Sequence, residues 1–327
     1  MSASLVGTEQ ILHVQAVAHG GHCVARHEGL VYFVRHALPG ERVRARVSAG
    51  REGDRFVLAE AVEILTPSPH RVDAPCRYAG PAGCGGCDFQ HAELAYQREL
   101  KAAVLREQLS RLAGIAWDGE VQPLVGDEAG LGWRTRIDLA VDRAGRTGFH
   151  PHRSREVLDI EACLLARPEL GDTGVFEGRY PRAKSVHAIV SSEGERAVVV
   201  APQGKKRTPS VHESVLIGGR LHTFRLNALG FWQVHPGAAA TFAAAVLDGL
   251  APQEGERALD LFAGAGLFAR ALADAVGPTG EVVAVESDPR AARAAADHFA
   301  ADAQVQVLQG RVDHALAEIA ADGRRTT

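Results

Sequence analysis

Four of the five cysteines in this 327-residue chain have a spacing that suits a metal centre. Cys76, Cys84 and Cys87 form a C-x7-C-G-G-C pattern, and Cys163 lies far downstream. The glycines between Cys84 and Cys87 permit a tight backbone that directs two thiolates to one point. Thiolates grouped in this way bind Zn²⁺ or an iron–sulfur cluster. The spacing supports the two metals equally, and a fourth cysteine indicates a structural or redox-tuning centre.

A disulfide is the alternative for these cysteines. The chain begins MSASLVGTEQ, without the basic segment and apolar core of a secretory signal, so we expect the thiols to stay reduced. The fifth cysteine, Cys23, lies in a segment of predicted strands, where a small buried thiol is the ordinary interpretation.

A glycine-rich segment is the second pattern with chemical potential. The sequence Asp260-Leu-Phe-Ala-Gly264-Ala-Gly266 follows a predicted strand and opens a predicted helix, so its backbone could approach a ligand at the helix N-terminus. Glu286 ends the next predicted strand, where a carboxylate can accept hydrogen bonds from ribose hydroxyls. A dinucleotide site requires a third glycine, and this chain has Ala269 there. The pattern therefore favours S-adenosylmethionine over NAD, and a turn without a ligand is the weaker alternative.

Composition bounds the class of protein. Hydrophobic residues make up 46% of the chain and charged residues 23%, as in ordinary globular proteins. The formal net charge of −4 excludes a polycation, and no apolar run is long enough for a membrane span. Nearly all positive charge is carried by arginine, which suits phosphate contacts but also follows from a GC-rich genome.

Residues 1–66 are predicted to form a small β-barrel. Five short strands separated by turn residues suit an OB-type barrel. The predicted strands are Val14–Ala18, His22–Arg26, Leu30–Arg35, Glu41–Val47 and Arg55–Ile64. Their arginines would line a phosphate-tracking face, or else a solvated surface balanced by acidic residues such as Glu41.

Residues 67–226 are predicted to form an α+β central domain that carries the cysteines. Its start is marked by Thr66–Pro69, where two prolines stiffen the chain. A helix is predicted from Ala92 to Leu112, with Gly114 as its stop. The predicted strands are Trp133–Val141, Thr147–His150, Glu156–Ile160, Ser185–Val190 and Arg196–Ala201. Because Cys163 follows one of these strands, the sheet must fold back onto the other cysteines.

Residues 227–327 are predicted to form part of a doubly wound, Rossmann-like sheet, because strands and helices alternate. The predicted elements are helix Gly237–Leu250, strand Arg257–Phe262, helix Leu267–Val276, strand Glu281–Val285, helix Pro289–Ala300, strand Gln304–Leu308 and helix 311–321. The expected fold class is therefore a multidomain α/β protein.

In combination, these features resemble the RNA uracil-5-methyltransferases that act on tRNA and ribosomal RNA. In that family a TRAM barrel, a [4Fe-4S] domain and a methyltransferase domain follow one another, and the resemblance covers about residues 8–321. The matching segments are the four cysteines, Trp133–Arg136, Gly148-Phe149, Val157–Ile160, Phe231–His235 and Leu259–Gly266. The resemblance, and not the spacing, favours [4Fe-4S] over zinc.

The resemblance implies roles for individual residues. The expected cluster ligands are Cys76, Cys84, Cys87 and Cys163. The expected contacts of S-adenosylmethionine are Gln233, Phe262 and Glu286, with Gly264 and Gly266 shaping the turn. Arg134 and Arg136 are the expected RNA contacts. Near the adenine, where the family carries Asp or Asn, this chain has Arg311, with Asp313 close by as a substitute.

The resemblance also implies a reaction. A cysteine thiolate adds to C6 of uracil, C5 takes the methyl group, and a base removes the C5 proton. None of the five cysteines fits that role, so we expect the nucleophile and base beyond Thr327 and interpret the chain as a shortened member. The alternative is an inactive RNA-binding remnant. A cytoplasmic location, no membrane partner and a monomer when complete are further expectations.

Overall fold

The computed structural model describes residues 2–202 and 207–321. The chain forms two compact units, residues 1–123 with 148–163 and residues 124–147 with 164–327. The division into three domains at residues 66 and 226 stays a prediction, and the end of the third at Thr327 lies outside the described residues.

The first unit begins with a closed five-stranded barrel, as predicted. Its strands are β1 Glu9–Ala18, β2 His22–His27, β3 Leu30–Arg35, β4 Arg42–Ala49 and β5 Phe56–Thr66. The order is β1-β2-β3-β5-β4, and the pairing of β1 with β4 closes the barrel. Side chains of alternate residues fill its interior, including the fully buried Leu12, Val34 and Val43.

A buried ion pair fixes the segment that follows the barrel. Glu41 is fully buried and accepts hydrogen bonds from the backbone N–H groups of Leu38, at 2.8 Å, and Ser68, at 3.1 Å. Arg71 Nη2 donates to the same carboxylate at 2.7 Å. Glu41 therefore does not belong to the solvated surface that was the alternative interpretation of this region. This carboxylate instead satisfies backbone groups at the point where the chain leaves the barrel.

A long helix follows the barrel in the first unit. Helix α1, Leu94–Ala113, ends at Gly114, whose φ of 65° is the left-handed conformation that glycine adopts readily. The sequence predicted this stop.

The second unit contains an antiparallel sheet. Its strands include β6 Arg136–Val141, β9 Ser185–Val190 and β10 Arg196–Ala201, with β9 paired to both of the others. Between β6 and β9 the chain passes through the first unit at residues 148–163, which carry most of the short strand β7 Thr147–Phe149 and its partner β8 Leu158–Asp159. Helix α2, Pro168–Gly171, then belongs to the second unit.

A hairpin that the sequence analysis did not predict follows β10. Strands β11 Ser210–Ile217 and β12 Arg220–Asn227 pair in register along their whole lengths. Alternate residues of β11 are buried, and one of them is Glu213. Gly218 and Gly219 form the two-residue turn between the strands, and both have positive φ angles.

The rest of the second unit is a parallel sheet with helices, as predicted. Its elements are α3 Ala238–Leu250, β13 Arg257–Leu261, α4 Leu267–Val276, β14 Glu281–Glu286, α5 Pro289–His298, β15 Val305–Gln309 and α6 Val312–Ala321. The strand order is β13-β14-β15, and both pairings are parallel. The turn after β13 and Glu286 at the end of β14 therefore meet at one edge of the sheet. Among the described residues, no helix has the length and apolar character needed to cross a membrane.

Candidate functional site

The turn between β13 and α4 has an unusual backbone. Phe262, Gly264 and Gly266 have φ angles of 66°, 57° and 90°, so three residues within five adopt the left-handed conformation. Asp260, which is buried, accepts a hydrogen bond from the N–H of Ala269 in the first turn of α4 at 2.8 Å. This carboxylate fixes the strand end against the start of the helix.

The two glycines of the turn have different surroundings. A Cβ atom at Gly266 would lie 2.6 Å from the ring of Phe299, so this position is closed by packing. A Cβ atom at Gly264 would meet nothing within 4 Å. The space above Gly264 is therefore open to a ligand, whereas Gly266 lets α4 and Phe299 pack together.

Glu286 joins the ends of the two strands. Its Oε2 accepts a hydrogen bond from the N–H of Gly264 at 2.8 Å. Its Oε1 accepts from the N–H of Asp288 at 2.7 Å and from the hydroxyl of Ser287 at 3.3 Å. The side chain is only partly buried, so its remaining lone pairs are accessible for hydrogen bonds from a ligand.

Asp260 is an unusual carboxyl group. Burial raises its pKa to about 6, the negative charge of Glu286 adds to that effect, and the hydrogen bond from Ala269 opposes it. The carboxylate within reach of a ligand is that of Glu286, because Asp260 is buried and hydrogen-bonded to the N–H of Ala269.

Two aromatic side chains of the second unit are exposed. Phe262 follows β13 with 77% of its surface exposed, and Phe231, in the loop after β12, is 79% exposed.

Gln233 lies in a loop that is anchored on both sides. Trp232 is buried against Phe224, with ring centroids 5.2 Å apart. The carbonyl of Val234 accepts hydrogen bonds from Thr135, at 2.9 Å from its N–H and 3.0 Å from its hydroxyl. The partly buried Gln233 is thereby held between two fixed neighbours.

His235 serves the start of helix α3. Its Nδ1 accepts a hydrogen bond from the N–H of Gly237 at 3.1 Å, and its carbonyl accepts from Ala238. These two contacts hold His235 at the start of α3.

The two arginines that we expected to contact RNA differ in the structure. The guanidinium of Arg134 lies 5.3 Å from the ring centroid of Trp133 and is partly exposed. Arg136, in contrast, has a side chain that is only 9% exposed and pairs with Glu213 at 3.1 Å. Its Nη1 donates to the carbonyls of Ala228, at 3.2 Å, and Gly230, at 3.1 Å. Arg136 thus supports the loop before Gln233, which differs from the RNA contact we expected.

The Cys-Gly-Gly-Cys turn packs closely against the segment near His150. The N–H of Gly85 donates to the carbonyl of His150 at 3.0 Å, and a Cβ atom at Gly85 would lie 2.8 Å from the N atom of His152. Only glycine fits such an approach, so Gly85 is required here by packing against another segment.

Each of the first three cysteines takes part in a hydrogen bond, Cys84 and Cys87 through the sulfur and Cys76 through its backbone N–H. The N–H of Gly86 donates to Cys84 Sγ at 3.4 Å. Gln90 donates to Cys87 Sγ at 3.1 Å and accepts from the N–H of Cys76 at 3.2 Å. Donors of this kind stabilise thiolates and tune metal–sulfur centres.

The segment that carries Cys163 is attached to the same region. The N–H of Glu161 donates a hydrogen bond to the hydroxyl of Tyr78 at 3.0 Å. Arg77 pairs with the carboxylate of Glu161 at 2.8 Å. Both contacts join the chain just before Cys163 to the chain just after Cys76.

The four cysteines fit a metal centre in type but not in arrangement. Across residues 2–202 and 207–321, no three Cys, His, Asp or Glu side chains are grouped as a metal site requires. Cys23 is a separate case. It is buried, donates to the carbonyl of Ala37 at 3.2 Å, and burial raises its pKa to about 12.

Asp313, which we expected as the substitute near the adenine, accepts hydrogen bonds from the neighbouring Arg311. Arg311 donates to both of its carboxylate oxygens, at 2.8 and 3.1 Å. These hydrogen bonds lower the pKa of Asp313 to about 2.

Comparison with known proteins places this geometry in a family. Residues 3–62 match the TRAM domain, which corresponds to the barrel. An uncharacterized RNA methyltransferase of Streptomyces coelicolor is 46% identical over 96% of this chain and 76% of its own length. The 23S rRNA (uracil(1939)-C(5))-methyltransferase RlmD of Pseudomonas aeruginosa is 32% identical over 86% of this chain and 71% of its own length.

A solved structure resembles the fold. The tRNA (uracil-54, C5)-methyltransferase of Pyrococcus abyssi, in complex with S-adenosyl-L-homocysteine, matches with a TM-score of 0.59. The match covers 92% of this chain and 80% of that one, at 18% identity. The fold is thus that of a methyltransferase with additional domains. The chain belongs to the RNA methyltransferases that carry a TRAM domain.

Proposed function

We propose that this protein takes part in methylation of C5 of a uridine in ribosomal or transfer RNA, with S-adenosylmethionine as the methyl donor. The uracil specificity is supported by the name of the Pseudomonas relative. The observation that carries the proposal is the junction of Glu286 with the N–H of Gly264 at 2.8 Å, beside open space at Gly264.

The residues present fit the cofactor. The carboxylate of Glu286, already oriented by two backbone N–H groups, would accept hydrogen bonds from the ribose hydroxyls. The exposed ring of Phe262 would cover one face of the adenine, and Gln233 would contact the cofactor from its anchored loop. S-adenosylmethionine supplies a methyl group on a sulfonium.

Attack on C6 of uracil requires an accessible cysteine thiolate. Cys23 is unsuited to this role because it is buried and its pKa is raised to about 12. The other four cysteines are assigned here to the metal centre.

We further propose that Cys76, Cys84, Cys87 and Cys163 bind a [4Fe-4S] cluster, which would have to bring together thiolates that the described residues do not group as a metal site. The support is the donor set of four cysteines, the sulfur-directed hydrogen bonds of Gly86 and Gln90, and the contacts that join the Cys163 segment to Tyr78. Zinc is the competing metal for the same ligands. No step of the methylation is assigned to the cluster.

The cofactor part of the proposal can be tested by calorimetry. The anaerobically purified chain is titrated separately with S-adenosylhomocysteine and with NAD. Saturable binding of S-adenosylhomocysteine at one site per chain, with no heat from NAD, is the expected result. Binding of NAD alone, or of neither compound, would refute the cofactor assignment.

A further inference from the structure

A broad cleft lies between the β11–β12 hairpin and helix α5. Its volume is about 890 Å³, and all of its lining residues belong to the second unit. Four of these residues are arginines, namely Arg207, Arg225, Arg290 and Arg293. They come from three separate segments of the chain.

The regular geometry of strand β12 and helix α5 places arginines on the two walls of the cleft. On β12, Thr223 and Arg225 are exposed on the face opposite the buried Phe224, because successive side chains alternate. On α5, Arg290 and Arg293 lie three residues apart and are both exposed, so they share one face of the helix. The fold therefore brings positive charge to both sides of the same space.

An aromatic contact holds the walls together. The ring of His298, in the last turn of α5, stacks on Phe224 with a centroid separation of 4.3 Å and an interplanar angle of 21°. Because Phe224 lies within β12 between Thr223 and Arg225, this contact fixes the helix beside the strand. The arrangement of the arginines is thus a property of a packed part of the structure and not of a mobile surface.

The charge in the cleft is not balanced by the protein itself. Among the described residues that line the cleft, Asp297 is the only one with a carboxylate. In the part of the chain that the structure describes, these four guanidinium groups form no ion pair with a carboxylate. Like charges on facing walls repel one another, and an anion in the cleft would remove that cost.

We propose that this cleft binds the phosphate backbone of the RNA substrate. Four guanidinium groups spread over a cleft of about 890 Å³ exceed what a single phosphate requires, and match a strand that carries a phosphate at every nucleotide. The position of the cleft in the fold also supports RNA as its ligand. Helix α5 begins at Pro289, directly after the Glu286–Asp288 segment, so the cleft starts beside the proposed cofactor site. The proposal rests on the proposed function for its choice of RNA.

The test uses fluorescence anisotropy with the full chain and a labelled single-stranded RNA that contains uridines. Kd is measured at several salt concentrations for the parent and for the double variant Arg225→Gln/Arg293→Gln. The matched control is Arg179→Gln/Arg220→Gln, which removes two exposed arginines of the same unit outside the cleft. Circular dichroism and S-adenosylhomocysteine affinity verify that each variant is folded.

The cleft variant is expected to bind RNA roughly tenfold more weakly than the parent. The slope of log Kd against the logarithm of the salt concentration should be smaller by about 1.4, the value for two phosphate contacts to a single strand. The control should keep the parent's affinity and slope.

An unchanged cleft variant, or an equal loss in the control, would overturn the cleft proposal and leave the proposed function intact. A loss of affinity for polyglutamate with unchanged RNA binding would assign the cleft to an acidic protein. Absence of RNA binding by the parent would refute the cleft proposal and the RNA part of the proposed function together.

Discussion

The carboxylate of Glu286 accepts a hydrogen bond at 2.8 Å from the backbone N–H of Gly264, which lies 22 residues earlier in the chain. This contact joins the end of β14 to the turn after β13. It orients the carboxylate before a ligand arrives, so the proposed ribose contact needs little rearrangement.

The first prediction concerns the charge of Glu286. Glu286→Gln keeps the shape and one acceptor but removes the negative charge, and hydrogen bonds to charged groups are stronger than those between neutral groups. We expect the Kd for S-adenosylhomocysteine, measured by calorimetry, to rise about tenfold or more. The exposed Glu254 provides the control, since Glu254→Gln should leave this Kd unchanged. Equal affinities of all three proteins would contradict the assignment.

The two glycines of the turn give a second prediction. Gly264→Ala should cost about 1–2 kcal/mol of unfolding free energy, because alanine is strained at a positive φ. Gly266→Ala should cost about 1–3 kcal/mol more, because its Cβ would also lie 2.6 Å from the Phe299 ring. Urea denaturation measures both variants. Equal losses of unfolding free energy in the two variants would contradict a role of Gly266 in packing against Phe299.

Asp260 gives a prediction for pH dependence. Its pKa is about 6 in the folded protein, against 3.8 for an ordinary aspartate, so folding favours the protonated form. The stabilising contribution is fully present below about pH 4 and is lost as the pH rises through 6. Asp260→Asn cannot titrate. The stability of the parent relative to this variant should therefore fall by on the order of 3 kcal/mol between pH 4 and pH 7. A pH-independent difference in urea denaturation would contradict the raised pKa.

The buried pair of Arg136 and Glu213 gives a fourth prediction. Arg136→Met should reduce the unfolding free energy by about 3–5 kcal/mol, because Glu213 would remain buried without its partner. The double variant Arg136→Met/Glu213→Met should recover part of that loss. Since Arg136 also binds the carbonyls of Ala228 and Gly230, the single variant should weaken S-adenosylhomocysteine binding through the Gln233 loop. Strictly additive losses in stability would show that the pair is not coupled.

The cysteines give a fifth prediction. Anaerobically purified protein should contain about four iron and four sulfide per chain, as a [4Fe-4S] cluster requires. Cys84→Ser should lower both contents and the folding yield, whereas Cys23→Ala should retain the metal because Cys23 is buried within the barrel. Zinc in place of iron would overturn the cluster proposal, and a well-folded, metal-free Cys84→Ser variant that binds RNA fully would contradict a structural role.

Elements with regular patterns were predicted closely. Helix α4 has the predicted bounds, Leu267–Val276, and strand β3 has the predicted bounds, Leu30–Arg35. Glycines flank α4 at Gly266 and Gly277, and Gly29 precedes β3. The sequence also indicated that Glu286 ends the strand after the glycine turn, and the parallel pairing of β13 with β14 brings the two together.

The unpredicted hairpin shows where local patterns fail. Glu213 occupies a buried position of β11, which interrupts the apolar alternation that identifies a strand. Its charge is acceptable there only because Arg136, from β6, pairs with it. The adjacent Gly218 and Gly219 were a turn signal that could have revealed the hairpin.

Buried charges were the hardest feature to predict for the same reason. Glu41 and Arg136 both looked like surface residues in the sequence, and both are buried with partners distant along the chain. The arginine cleft escaped notice because Arg225 and Arg293 become neighbours of one space only after the hairpin packs on α5. Such pairings depend on tertiary contacts that a single sequence does not display.

The most direct test of the central claim is the amount of 5-methyluridine in purified ribosomal and transfer RNA, measured by mass spectrometry of nucleosides. RNA from source cells is compared with RNA from cells lacking the gene and from cells complemented with the gene carrying Glu286→Gln. The account predicts that one 5-methyluridine is lost in the deletion, restored by the parent gene and not restored by the variant. Unchanged 5-methyluridine in every RNA of the deletion cells would contradict it.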